Sequence, residues 1–188
     1  MRGLAITAVL LSTLVPVGTA QRNARIDRKT LRRLAQTCAP NVAPDTIEAI
    51  ATAESALYPY ALSINHPAHS ARALGYKESN LLLAQQPKTL EEAVKWMRWL
   101  LKQGYTVSIG LMQVNIKVAP ALNLQPTTLF EPCTNIAAAA RILVLDYATQ
   151  RHDFDGLIRS LSLYNSGSTS TGILNGYTNS VIQSAPKQ

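Results

Sequence analysis

The sequence predicts a mainly α-helical protein built as one domain, with at most a small β-hairpin. Three observations carry this. Apolar residues recur at helical spacing over most of the chain. Helix-start and helix-stop residues punctuate those stretches at Asp27, Pro44, Thr89, Gly104 and Asp155. Strand-like alternation is confined to Val107, Ile109 and Leu111, and the 188 residues contain no internal repeat.

In chain order, Asp27 is expected to cap a helix through about Thr37, stopped by Ala39-Pro40, with Leu31, Leu34, Ala35 and Cys38 on one stripe. Pro44 opens a second helix ending near Ser55, because its fixed φ suits a first helical turn. The stretch from Ile64 to Gln86 reads as a loop and then has no clear period. Thr89-Leu90-Glu91-Glu92 forms a capping box for a helix to Gln103. Its expected buried stripe is Leu90, Val94, Met97 and Leu101, flanked by Trp96 and Trp99, which read as packing groups. A helix over about Asn135 to Gln150 turns Ile136, Ala139, Ala140, Leu143 and Tyr147 inward, and its alanines permit close packing. Asp155 is expected to cap Gly156 to Tyr164, followed by a flexible Ser/Thr/Gly loop from Asn165 and a last helical turn over Tyr177 to Gln183.

The first 20 residues have the form of a secretory signal peptide: one arginine, an apolar stretch from Leu4 to Leu14, and Gly18-Thr19-Ala20 before the cleavage point. That stretch is shorter than the roughly 20 apolar residues of a membrane span. No stable membrane insertion is therefore expected, and export to the periplasm or beyond is. Residues 21–37 form a basic N-terminal helix and residues 184–188 a short tail. Export exposes Cys38 and Cys133 to an oxidising compartment, and a disulfide between them is expected, with a pair of buried thiols as the alternative. Two cysteines without companion histidines make no tetrahedral zinc site, and His66-x-x-His69 lies in a polar loop, so no metal or other cofactor is expected. The formal charge of +7 is concentrated between Arg22 and Arg33. No base-stacking motif or zinc finger accompanies it, which argues against nucleic acid. A solvated helix face is the plainest reading, and attraction to an anionic envelope or a partner protein the next.

Glu54 stands out. With Ile47, Ile50 and Ala51 it falls at i, i+3, i+4 and i+7, so its carboxyl points where a core belongs, whereas Glu48 lies off that stripe. A desolvated carboxyl without a cationic partner takes up a proton near neutral pH and becomes a general acid.

Three blocks follow in order: Glu54-Ser55 with Pro59, Ala61 and Ser63; Gly110-Leu111-Met112-Gln113-Val114-Asn115; and Tyr164-Asn165-Ser166-Gly167. Together they resemble the lytic transglycosylases that share a lysozyme-like α+β fold with goose-type lysozyme, and most nearly the specialised branch of type IV secretion and conjugation systems. The resemblance covers about Cys38 to Val181, with Gly176-Tyr177 similar to the aromatic that follows the third motif. It implies a lysozyme-like transglycosylase domain over residues 38–183 that carries an insertion at 64–107. It also implies cleavage of the β-1,4 bond between N-acetylmuramic acid and N-acetylglucosamine to give 1,6-anhydromuramic ends. The expected partners are peptidoglycan glycan strands and proteins of a secretion or conjugation apparatus.

By matched position, the resemblance makes Glu54 the catalytic acid and Ser63 a hydroxyl that bonds the carboxyl or substrate. Gly110 would let backbone approach a sugar, and Met112 and Gln113 would form the cleft wall, with Gln113 bonding an N-acetyl group. Asn115 is a further substrate contact, Tyr164 brings its hydroxyl toward the acid, and Asn165 fixes the following loop. No second carboxylate belongs to a matched motif; Asp146, Asp153 and Asp155 read as helix-face and capping groups. A lone acid favours an intramolecular route without water. Departures from the common pattern are the insertion, Tyr58 where an asparagine usually precedes Pro59, and Ser166 in place of alanine. A catalytically weak peptidoglycan-binding assembly factor and a hydrolytic muramidase are the alternative readings.

Overall fold

The computed structural model describes residues 25–65, 81–82 and 85–187. The proposed leader, the histidine pair and Glu78 lie outside the described residues. Seven helices are described: α1 (Arg28–Cys38), α2 (Pro44–Ser55), α3 (Leu90–Lys102), α4 (Pro132–Ala148), α5 (Phe154–Ser166), α6 (Thr171–Leu174) and α7 (Tyr177–Ser184). Four short strands, β1 (Leu62–Asn65), β2 (Leu81–Leu82), β3 (Thr106–Ile109) and β4 (Val114–Asn115), form an antiparallel sheet in the order β2-β1-β3-β4. The fold is the expected α+β one, but its sheet exceeds a hairpin because the insertion supplies β2 and leads into β3.

Asp27 caps α1 as expected, its carboxylate accepting from the Thr30 amide at 3.0 Å. α2 forms the centre of the molecule, packed between α1 and α7. That enclosure corrects the expectation for Glu48: although off the main apolar stripe, it is only 2% exposed because it faces α1. Arg28 and Arg32, one turn apart on α1, both pair with it, and Arg32 also reaches Asp45. Part of the basic cluster is thus internal charge compensation rather than a solvated face. Such pairing matters because a buried carboxylate without donors is strongly destabilising.

The capping box of α3 forms with a one-residue shift, since Glu92 accepts from the Lys88 amide while Thr89 accepts from the Glu92 amide. Its buried face is Ala93, Met97 and Leu100, not the predicted stripe: Leu90 is 37% exposed, and of the four only Met97 is buried. α3 packs against β3. Tyr58, buried, donates its hydroxyl to the Pro87 carbonyl and so ties the insertion to the domain. In α5 the cap is Asp153, which accepts from the Gly156 amide at 2.8 Å, whereas Asp155 pairs with Arg159 one turn on. The expected flexible loop after Asn165 is instead knotted on buried Ser162, whose hydroxyl donates to the Ser168 carbonyl and accepts from the Gly172 amide; α6 follows. Cys38 and Cys133 are disulfide-bonded, with Cα atoms 5.5 Å apart, which staples α1 to the start of α4.

Candidate active site

A cleft of about 420 Å³ opens where the end of α2, the sheet, α4 and α5 meet. Glu54, Ser63, Gln113, Asn115, Tyr164 and Asn165 all line it, which brings together six of the predicted site residues. Glu54 sits in the last turn of α2, just before Ala56 and Leu57 break the helix with left-handed φ of 50° and 66°. The Ser55 hydroxyl anchors this helix end, donating to the Leu111 carbonyl at 2.8 Å and accepting from the Tyr58 amide.

Glu54 as a whole residue is half-buried, and desolvation of its carboxyl pushes the pKa up to about 7. One hydrogen bond opposes that rise: Tyr177, from the start of α7, donates its hydroxyl to Oε1 at 2.7 Å. Oε2 accepts no hydrogen bond among the described residues and is the oxygen left to exchange a proton. Burial and the negative charge of Glu54 raise the Tyr177 pKa far above its ordinary value, so the phenol stays a donor. Replacing Tyr177 with Phe is expected to raise the Glu54 pKa further, by about half to one unit, because the bond favours the charged form. The alkaline limb of kcat/KM then moves upward, and a pH profile of the two proteins checks it; an unmoved limb would separate Tyr177 from the acid.

The partner of Glu54 is therefore Tyr177, not Tyr164. Tyr164 is within electrostatic reach of Glu54, but its hydroxyl donates to the Met112 carbonyl at 2.6 Å. It braces the turn between β3 and β4 from below. The same turn is held by Asn135, a fully buried side chain that sequence reasoning left unassigned. Its Oδ1 accepts from the Met112 amide at 2.7 Å, and its Nδ2 donates to the carbonyls of Ile109 and Leu129. Gly110, at φ 82°, serves this bracing rather than a sugar: a Cβ there would collide with the Asn135 side chain and come within 2.6 Å of the Leu129 carbonyl. Met112 is likewise corrected from cleft wall to core, being fully buried beneath the turn.

What the turn presents to the cleft is Gln113, held at φ 47°. Its Nε2 donates to the Gly110 carbonyl at 3.0 Å, while its buried Oε1 has no hydrogen-bond partner. An unpartnered buried acceptor in a cleft is a place for a substrate N–H. Asn115 spends its Oδ1 on the Lys117 amide and Asn165 its Oδ1 on Asn175, so both shape the rim.

On the sheet side, Ser63 stands opposite Ser108 across β1 and β3, and Asn65 donates to the Ser108 hydroxyl at 2.8 Å. Asn65 and Ser108 line the cleft with Ser63, yet neither was predicted. The signal was present in the two-residue period of the strands, since Val107 and Ile109 face the core and Ser108 therefore faces away. Asp146, expected on a plain helix face, also lines the cleft. Among the described residues, no group of three potential metal ligands is found.

The family described as "Transglycosylase SLT domain" matches residues 33–182. "Protein virB1" of Agrobacterium fabrum is 30% identical over 183 residues, covering 96% of this chain and 68% of its own length. "Type IV secretion system protein virB1" of Brucella abortus is 34% identical over 110 residues, 58% of this chain and 40% of its own. "Protein virB1" of Rhizobium radiobacter is 30% identical over 155 residues, 81% of this chain and 59% of its own. No solved structure matches the chain significantly.

Proposed function

Because the chain belongs to the family of transglycosylase SLT domains, we propose that it is a peptidoglycan lytic transglycosylase whose proton shuttle is Glu54. The observation that carries this reading is the desolvated Glu54 carboxyl, poised near pH 7, inside a polar cleft large enough for sugar rings. In the first step Glu54 gives its proton to the glycosidic oxygen, and the bond from that oxygen to the anomeric carbon of N-acetylmuramic acid breaks. The substrate's own N-acetyl oxygen closes onto the anomeric carbon and takes up the developing positive charge. Glu54, now a carboxylate, removes the proton of the C6 hydroxyl, and O6 displaces the N-acetyl oxygen to leave a 1,6-anhydro ring. The acid ends protonated as it began, and no water is consumed.

Each surrounding group has a part. Tyr177 fixes the carboxyl and prevents the pKa from rising too far for the second, basic half of the cycle. The unpartnered Gln113 Oε1 takes the N-acetyl N–H, which orients the acetyl oxygen toward the anomeric carbon. Ser63, without a side-chain hydrogen bond among the described residues, offers its hydroxyl to substrate or acid. Preorganised positioning of an internal nucleophile replaces the activated water of a hydrolase.

The name of the Brucella abortus relative supports a setting in a type IV secretion apparatus, where local opening of the cell wall would let an envelope-spanning assembly pass. Such work requires export, in keeping with the leader expected over residues 1–20 and the Cys38–Cys133 bridge. Among the described residues no helix is long and apolar enough to cross a membrane. Purified protein lacking the leader is expected to release anhydromuropeptides from sacculi, read by mass spectrometry. Products with reducing ends would replace the transglycosylase by a muramidase; an absence of products with retained sacculus binding would leave a docking factor.

A further inference from the structure

Asp146 lies in the last turn of α4, which ends at Ala148, and its side chain lines the same cleft as Glu54. Among the described residues its carboxyl has neither a hydrogen bond nor an ion pair. The last turn of α4 carries no basic residue. A carboxylate there faces the negative end of the helix dipole, an unfavourable placement. Partial burial adds a second penalty and raises its pKa. Every local effect on this side chain therefore opposes folding, and nothing among the described residues compensates. A polar group that works against stability in a cleft marks a place that a ligand satisfies.

Its position fits a substrate contact rather than a second reacting group. Ile142, one turn earlier on α4, lines the cleft beside it, so this helix forms one wall, while Glu54 enters from the end of α2. The Tyr164 phenol feels the charges of both carboxyls and stands within electrostatic reach of each. The polar groups nearest in kind, Ser63, Asn65 and Ser108, belong to the sheet wall. On the α4 wall Asp146 is the acceptor that a substrate donor meets.

Resting on the proposed transglycosylase reading, we infer that Asp146 is a specificity-determining residue, its carboxylate accepting a hydrogen bond from a donor group of the bound peptidoglycan strand. The donor is either a hydroxyl or N–H of the sugars or an amino group of the peptide stem; both present the same N–H or O–H chemistry to a carboxylate.

The test measures dissociation constants for soluble peptidoglycan tetrasaccharides, with and without peptide stems, using the full exported chain in a Glu54→Gln background that binds without cutting. Adding Asp146→Ala is expected to weaken binding roughly tenfold to a hundredfold, the loss of a hydrogen bond to a charged group. Asp146→Asn, which keeps an acceptor oxygen, is expected to restore part of it for a sugar donor. A loss confined to stem-bearing fragments, with no rescue by Asn, identifies the stem amine. Both variants should melt roughly 1–4 °C higher than the parent, because an unpaired charge at the wrong helix end has gone. In the Glu54-containing chain the loss should fall on KM. Unchanged affinity with a lowered melting temperature would make Asp146 structural and overturn the inference, as would a collapse of kcat at constant KM. If the Glu54→Gln background itself binds no glycan, the functional reading falls first and takes this one with it.

Discussion

Replacing Glu54 with Gln is expected to slow glycan cleavage by roughly a thousandfold and, at pH 8, to raise the melting temperature. The activity loss follows from the double duty proposed for this carboxyl, since Gln can neither give the first proton nor take the second. The stability gain follows from linkage. Glu54 titrates at about 7 in the folded protein against an ordinary value of 4.5, so the folded state holds this proton more tightly than the unfolded chain does. Below about pH 4.5 both states are protonated and the group is neutral toward folding. As pH rises from 4.5 through 7 the unfolded chain releases its proton first, and stability is lost, by roughly 3 kcal/mol once both states are ionised. Gln carries no charge to desolvate and still accepts from Tyr177 through its amide oxygen. Melting curves of the two proteins should therefore nearly coincide at pH 4.5 and separate by pH 8. A separation independent of pH would mean that Glu54 is not desolvated in the way its surroundings imply. In the active protein, kcat/KM should fall on the alkaline side near pH 7, where the free enzyme loses its acid.

Reduction of the Cys38–Cys133 bridge is expected to have the largest effect on stability. The bond joins residues 95 apart, and constraining so long a loop in the unfolded chain is worth roughly 4 to 5 kcal/mol on the chain-entropy account. For a domain of this size that corresponds to a fall of about 10–15 °C in melting temperature. The Cys38→Ser/Cys133→Ser double variant should show the same fall without reductant and no further change with it. The bridge reaches the cleft indirectly: Cys133 stands at the start of α4, two residues before Asn135, whose three hydrogen bonds brace the turn that presents Gln113. Loosening α4 is thus expected to lower activity at temperatures below the melting transition, which a temperature–activity curve with and without reductant measures.

Much of the helical frame was legible in the chain because its signals are local. Asp27, Pro44 and Thr89 act on amides within three residues or through their own φ, so the starts of α1, α2 and α3 needed no knowledge of neighbours. The desolvated carboxyl of Glu54 was legible for a related reason: a carboxylate on an apolar stripe contradicts its own helix, and that contradiction is visible without a fold.

Elsewhere the apolar pattern left a choice that packing made. Two faces of α3 share Met97, and contact with β3 selected the one containing Ala93 and Leu100. Asp153 and Asp155 are equally good caps on paper, and the backbone entering α5 decided for Asp153. Ser162 looks like any helix serine until the segment after Gly167 folds back onto it.

By itself, then, the sequence determined which carboxyl stands on an apolar helix stripe, which segments become helices and which family motifs are present, because period, capping and steric preference act over a few residues. Only the tertiary structure decided how the acid is served. It set Tyr177, 123 residues away, rather than Tyr164 against Glu54, turned Gly110 and Met112 inward as supports, and brought Asn65, Ser108 and Asp146 to the cleft. Hydrogen bonding and desolvation depend on neighbours in space, and those neighbours come from distant elements brought together by packing around α2.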